Sequence, residues 1–262
     1  MGIHSADAIV LRRYPYRETS VIINCLTDRF GKIRGLIKGL RVLPNNRYRS
    51  AMEPMTINRI VFYDTRASQI HLISQCELTH PLSELPRDLD TMRVAALCLE
   101  LTDAVVPAEE PQPAIYALLK ETLERLAGQP TQREALRIHF IVRLLRLAGF
   151  QPQLDECTAC SREVHGAGYW SARQGGLLCR DCRDVDPRAE PAAVPALEAL
   201  ERLALSDHPI PLAKELLPVL HGKLDEFLHW RLEKPLKTLP HSNGARGGGY
   251  AARLETWRSA AS

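Results

Sequence analysis

Ser20-Val-Ile-Ile-Asn-Cys-Leu-Thr-Asp-Arg-Phe-Gly-Lys-Ile-Arg-Gly-Leu-Ile-Lys38 reads as two short strands joined by a turn. Ser20–Leu26 and Ile33–Lys38 are rich in β-branched residues, and polar residues alternate with apolar ones as on a half-buried strand. Asp28-Arg-Phe-Gly31 carries turn chemistry between them. Working outward, Ala8-Ile-Val-Leu11 lies upstream, and Thr56–Tyr63 and Gln69–Ser74 lie downstream, each with the same composition. Gly39 to Ser50, with Pro44-Asn-Asn46, is a polar basic loop. Five short strands with basic loops predict a small closed barrel. An OB-fold is the leading candidate, although periodicity alone does not separate it from other small barrels.

Beyond about Pro86 the apolar period becomes helical. Asp90 is placed to cap a helix carrying Val94, Leu97, Cys98, Leu101 and Val105, stopped by Pro107. A second helix is expected from Pro113 to Gly128. Thr131-Gln-Arg-Glu134 has a capping-box pattern and should open a third, with Gly149 as its left-handed end. Two further helical stretches are expected around Ala196–Leu205 and Leu212–Leu232. The chain thus reads as α+β and multidomain: a five-stranded barrel over 1–80, and a helical domain over 81–240 with a cysteine-rich insertion at about 153–186. The Gly-rich tail, 241–262, has no apolar period and is expected to be disordered.

The insertion holds Cys157-Thr-Ala-Cys160 and Cys179-Arg-Asp-Cys182. A two-residue gap lets both thiolates of a turn reach one ion about 2.3 Å away, and two such turns complete a tetrahedron. The spacing predicts one structural Zn2+ on Cys157, Cys160, Cys179 and Cys182; redox-active dithiols and iron–sulfur ligation are the alternatives. Four thiolates leave no open coordination position, so the metal should stabilise rather than catalyse. Cys25, Cys76 and Cys98 lie in apolar runs and read as small core residues.

The net charge of +3 conceals a gradient. Residues 1–80 carry twelve Lys and Arg against six Asp and Glu, whereas 81–150 and 151–262 are each slightly acidic. An anionic partner is therefore expected on the barrel. Arg12, Arg13, Arg34, Lys38, Arg41, Arg47 and Arg49 are the candidate DNA contacts, interleaved with Tyr14, Tyr16 and Tyr48. The alternative is a solvated basic face. Met1–Asp7 lacks the pattern of a signal peptide, and no apolar run approaches the roughly 18 residues a membrane span needs. A cytoplasmic protein with no membrane partner is expected. The sequence contains no phosphate-binding loop, dinucleotide fingerprint, His-Glu-x-x-His pair or nucleophile elbow, so no enzyme is expected. His139, between apolar helix residues, reads as packed rather than ligating.

Several segments together carry a family resemblance. Ala8-Ile-Val-Leu-Arg-Arg-Tyr-Pro-Tyr-Arg-Glu-Thr-Ser20, Leu26-Thr-Asp-Arg-Phe-Gly-Lys-Ile33 and Lys38-Gly39 are similar to the opening of the bacterial RecO proteins. Leu144-Leu-Arg-Leu-Ala-Gly-Phe-Gln-Pro152 ahead of Cys157 resembles that family's helix-to-zinc junction, and Lys234-Pro-Leu-Lys237 its closing motif. Val42-Leu-Pro-Asn45 departs from the small basic repeats common there. The resemblance implies an N-terminal OB-fold, a helical domain, a zinc segment and a non-enzymatic role in recombinational DNA repair. It further implies binding to single- and double-stranded DNA, strand annealing, and work with RecR and the tail of the single-strand-binding protein to load RecA, in the cytoplasm at the nucleoid. A zinc-ribbon module reading duplex DNA in transcription is the alternative.

Overall fold

The structure is a computed structural model and describes residues 2–40, 52–64, 69–80, 82, 85, 88–164, 168–232 and 236–239. The expected basic loop with Arg41, Arg47, Tyr48 and Arg49, the expected disordered tail 241–262, Gly166 and Lys234 lie outside the described residues. The chain divides into two compact units, Met1–Gly149 and Phe150–Ser262.

In the first unit, β1 (Ile3–Tyr16), β2 (Ser20–Thr27), β3 (Lys32–Ile37), β4 (Ile57–Tyr63) and β5 (His71–His80) close into a barrel in the order β1-β2-β3-β5-β4. The β3–β5 pair is parallel and the others antiparallel. This is the OB arrangement that periodicity left open. Alternation drives it: Ala8, Val10, Val21, Ile23, Cys25, Ile33, Ile60 and Phe62 are among the side chains that turn inward into one core. Burial pushes the Cys25 thiol up to about 12 and the Cys76 thiol up to about 11, as expected for inert packing residues. β1 is much longer than its apolar run, because its first half pairs with β4 and its second half with β2. Barrel closure demands that double pairing. A register shift between Val10 and Arg12 interrupts the alternation; Leu11 is buried, Arg12 pairs with Asn24 on the outer face, and Arg13, half-buried, pairs with the core residue Ile23.

Three helices complete this unit: α1 (Leu89–Val105), α2 (Pro113–Gly128) and α3 (Arg133–Leu147). The cap of α1 is Asp88 rather than Asp90, its carboxylate accepting from the Thr91 N–H at 3.1 Å. Asp90 sits within the first turn, where its charge suits the helix dipole. The expected capping box also fails to form. Pro130–Gln132 makes a 3-10 turn, α3 starts at Arg133, and Gln132 offers it no side-chain cap. Gly149, at φ +74, does end α3 in the left-handed region. His139 is buried on α3, in keeping with its packed reading.

The α1–α2 linker lies along the start of β3. The Glu109 N–H donates to the Lys32 carbonyl at 2.9 Å, and Ala108 bridges to Lys32. Gly31 makes this approach possible. Its φ is +69, and a Cβ there would run into the backbone carbonyl of Glu110.

The second unit contains a three-stranded sheet in the order β7-β6-β8, with β6 (Tyr169–Ser171), β7 (Gly176–Leu178) and β8 (Glu190–Pro191). It also contains α4 (Val194–Leu205) and α5 (Leu216–Arg231). Trp170 of β6 is buried, with its ring 6.0 Å from that of Phe227 on α5. Asp186 is buried on the Ser171 hydroxyl at 2.5 Å and accepts from the Arg188 N–H at 3.1 Å.

The Gly31 contact yields a test. Gly31→Ala should cost about 1–2 kcal/mol from the positive φ alone, and more because the linker backbone must move. Chemical denaturation should show a lowered midpoint; an unchanged midpoint would mean that the linker does not pack as described.

Candidate metal centre and nucleic-acid interface

The four sulfurs of Cys157, Cys160, Cys179 and Cys182 lie within 4.8 Å of one another. Two knuckles bring them together. The Cys157 carbonyl accepts from the Ser161 N–H at 2.8 Å, and Ser161 takes a positive φ of 57°. The Cys179 carbonyl accepts from the Cys182 N–H at 3.1 Å, at the head of the 3-10 turn Arg180–Val185. The Thr158 N–H donates to the Leu177 carbonyl at 2.9 Å, tying the first knuckle to β7. Gly176 allows the close approach that follows, since a Cβ there would meet the backbone of Gln153.

The set fits a tetrahedral metal. A 2.3 Å metal–sulfur bond implies sulfurs about 3.8 Å apart along each edge, and Cys160 Sγ and Cys179 Sγ are 3.8 Å apart. Burial opposes ionisation of Cys157, yet backbone N–H donors of Cys179, Ala159 and Cys160 bring its pKa down to about 6. Cys182 goes the other way, pushed up to about 12 by hydrogen bonds with the Cys179 and Cys160 side chains and then by burial. Four thiolates this close repel one another, so full deprotonation requires a cation among them. The packing beneath is slight: Cys157, Leu178 and Ala189 form the buried cluster, with Val164 and Tyr169 against it. A cluster this small gives the two knuckles little apolar support, the setting in which a metal staple contributes most.

The second candidate is the outer face of the barrel. Cross-strand register places Arg12, Asn24 and Arg34 in one row across β1–β2–β3, and Tyr14, Ile22 and Leu36 in the next. Tyr16 pairs with Ser20 beyond them, and Lys38 follows the end of β3. Tyr14, Tyr16, Arg34 and Lys38 are exposed. Arg34 Nε donates to the Asn24 amide oxygen at 3.4 Å. Among the described residues no carboxylate pairs with Arg34 or Lys38.

Arg12 and Arg13 are engaged within the chain. Arg12 Nε lies 2.7 Å from Asp103 Oδ2 on α1, and its Nη2 lies 3.5 Å from Glu100 Oε1. Arg13 pairs with Glu53. Lys32, on the same strand as Arg34, sends Nζ to the Asp103 carbonyl at 2.5 Å. Sequence reasoning missed Asn24, Glu100 and Asp103. A signal for Asp103 was present, since a carboxylate in the last turn of a helix opposes the dipole and needs a cation from elsewhere.

Comparison with known proteins decides the family. The sequence matches Recombination protein O N terminal over residues 1–82 and Recombination protein O C terminal over residues 86–240. The chain belongs to the RecO family. It is 31% identical to the DNA repair protein RecO of Desulforamulus reducens, over 91% of this chain and 93% of that protein. The DNA repair protein RecO of Symbiobacterium thermophilum is 30% identical over 91% and 96%, and that of Moorella thermoacetica 29% identical over 94% and 92%. As a RecO-family DNA repair protein it combines an OB barrel with a cysteine cluster able to hold a metal ion. Among the described residues no helix is long and apolar enough to cross a membrane.

The cysteine geometry leads to a measurement. Protein purified under reducing conditions should carry one metal ion per chain. Cys157→Ser should lower that below stoichiometry and lower the melting temperature by about 10 °C or more, because structural tetrathiolate sites contribute on the order of 10 kcal/mol. Metal-free wild-type protein with an unchanged melt would refute the site.

Proposed function

We propose that this RecO-family chain is a non-enzymatic recombination mediator of DNA repair. Its barrel binds single- and double-stranded DNA, and its four cysteines hold one structural Zn2+. The observation carrying the DNA reading is the outer face of β1–β2–β3. Tyr14, Ile22 and Leu36 supply a stacking and apolar row, with Arg34 before Leu36 on β3 and Lys38 just past the end of that strand. Cations beside aromatic surface are what a sequence-tolerant single-strand track requires, and the strand 2–3 face is where OB barrels bind oligonucleotides. Arg41, Arg47 and Arg49 follow Lys38 in sequence, outside the described residues, and are proposed as further DNA contacts on their charge alone. Arg12 and Arg13 are assigned no primary DNA contact, because carboxylates already neutralise them.

Zinc is the assigned ion because an all-thiolate tetrahedron suits it and leaves no open position for catalysis. In this reading residues 1–80 engage DNA and residues 81–240 engage proteins, with the segment 153–186 stapled by the metal. RecR and the tail of the single-strand-binding protein are the partners, RecA is loaded indirectly, and the work is done in the cytoplasm at the nucleoid. DNA binding proceeds by counterion release from phosphates, and annealing by presenting bases on an open face.

Replacing Arg34 and Lys38 with alanine together should weaken oligonucleotide binding for all sequences alike. The log–log salt slope should flatten by about 1.4 on single strands and about 1.8 on duplex. The same variant should anneal complementary strands coated with single-strand-binding protein more slowly than wild type. Parallel slopes at equal affinity would move the DNA site elsewhere, and preference for one duplex sequence would indicate a transcription-type reader.

A further inference from the structure

The C-terminal end of a helix is a poor place for a carboxylate, because unsatisfied carbonyls make that end negative. α1 nonetheless carries Asp103 in its last turn and no basic residue there. Its charge is met from the barrel. Arg12 Nε stands 2.7 Å from Oδ2, Asn24 Nδ2 3.3 Å from Oδ1, and Lys32 Nζ 3.6 Å from Oδ1. Glu100, one turn earlier, is also buried and adds a carboxylate oxygen 3.5 Å from Arg12. Asn24 pairs across the sheet with both Arg12 and Arg34. These carboxylates therefore end on the very cross-strand row from which Arg34 projects. Anionic oxygens received by an arginine, a lysine and an amide form the arrangement that a nucleic-acid phosphate would meet on the same face.

We infer that Asp103 and Glu100 are an internal substitute for phosphate, holding Arg12 and Lys32 out of DNA contact and ending the DNA track at Arg34. The inference rests on the reading that the β1–β2–β3 face binds DNA. It divides that face in two. The half beside Asp103 is self-neutralised, and the half with Tyr14, Tyr16, Arg34 and Lys38 is open. Arg12 and Lys32 release no counterions on binding while α1 is docked. Displacement of the last turn of α1, by a partner or by a longer strand, would add both cations to the track.

The test uses the full chain and oligo(dT). Asp103→Asn with Glu100→Gln removes both charges at nearly constant size, keeping one acceptor oxygen in each side chain and turning the other into an amide donor. The single-strand salt slope should steepen by about 1.4, two cations at about 0.7 each, with tighter binding at low salt. Lys32→Gln should leave the slope unchanged in the otherwise wild-type chain, and take back about 0.7 in the charge-removed chain. An unchanged slope in the folded charge-removed variant would overturn the inference. So would a wild-type slope that flattens with Lys32→Gln. Should circular dichroism show that the charge-removed variant does not fold, the Lys32→Gln result alone decides. Failure of the DNA reading itself is distinguishable, because Arg34→Ala with Lys38→Ala would then leave binding unaltered.

Discussion

The carboxylate of Asp103, set between Arg12, Asn24 and Lys32, ties the helices of the first compact unit to the barrel wall. Its side chain is only 13% exposed, and it stands at the negative end of α1, so without those cations it would be costly on two counts. Its three partners come from β1, β2 and β3, so a single group fixes α1 against three strands at once. The α1–α2 linker then has to run along the start of β3, where the Glu109 N–H meets the Lys32 carbonyl and Gly31 makes room. The barrel and its three helices form one compact unit, although their sequence periodicities differ completely.

The second unit depends on a different constraint. Its sheet has strands of two and three residues, and the buried cluster under the knuckles is too small to hold them by apolar burial. The cysteines resolve this by proximity: four soft donors within 4.8 Å present a site whose occupation by a dication ties both knuckles together. Trp170 then links this sheet to α5 through Phe227, with Lys223 Nζ 5.5 Å from the indole ring. Burial lowers the pKa of that lysine, consistent with an ammonium held largely out of water.

Charge is distributed to match. The basic excess of the chain lies in its first eighty residues, yet the structure consumes part of it internally. Arg12 and Lys32 are drawn to α1, Arg13 to Glu53, and Arg59 to Asp7 in a two-pronged pair at 2.8 and 3.0 Å. Arg34 and Lys38 are left facing solvent beside the exposed tyrosines. Net charge over a segment therefore overstates the cations available to a polyanion. What matters is the part that no internal carboxylate has claimed.

Much of this was legible in the residues themselves. The alternation through Ser20–Lys38, the turn at Asp28–Gly31 and the paired Cys-x-x-Cys knuckles are local chemistry, set by side-chain period, backbone freedom and thiolate reach within a few residues. Helix positions followed from period as well, with α2 running from Pro113 to Gly128 as expected. Caps were less secure: Asp88 and Asp90 are both acceptable acids near the start of α1, and only the path of the chain into the helix decides which one faces the Thr91 N–H. The sequence by itself determined the barrel strands, the helical period, the four cysteines able to hold a metal and the location of the basic excess. Barrel order, the double pairing of β1, and the division of the cations between Asp103 and solvent were decided only by the tertiary structure. Those outcomes depend on which strand and which helix end come to lie beside a given residue, and Arg12 and Asp103 are ninety-one positions apart before folding makes them neighbours.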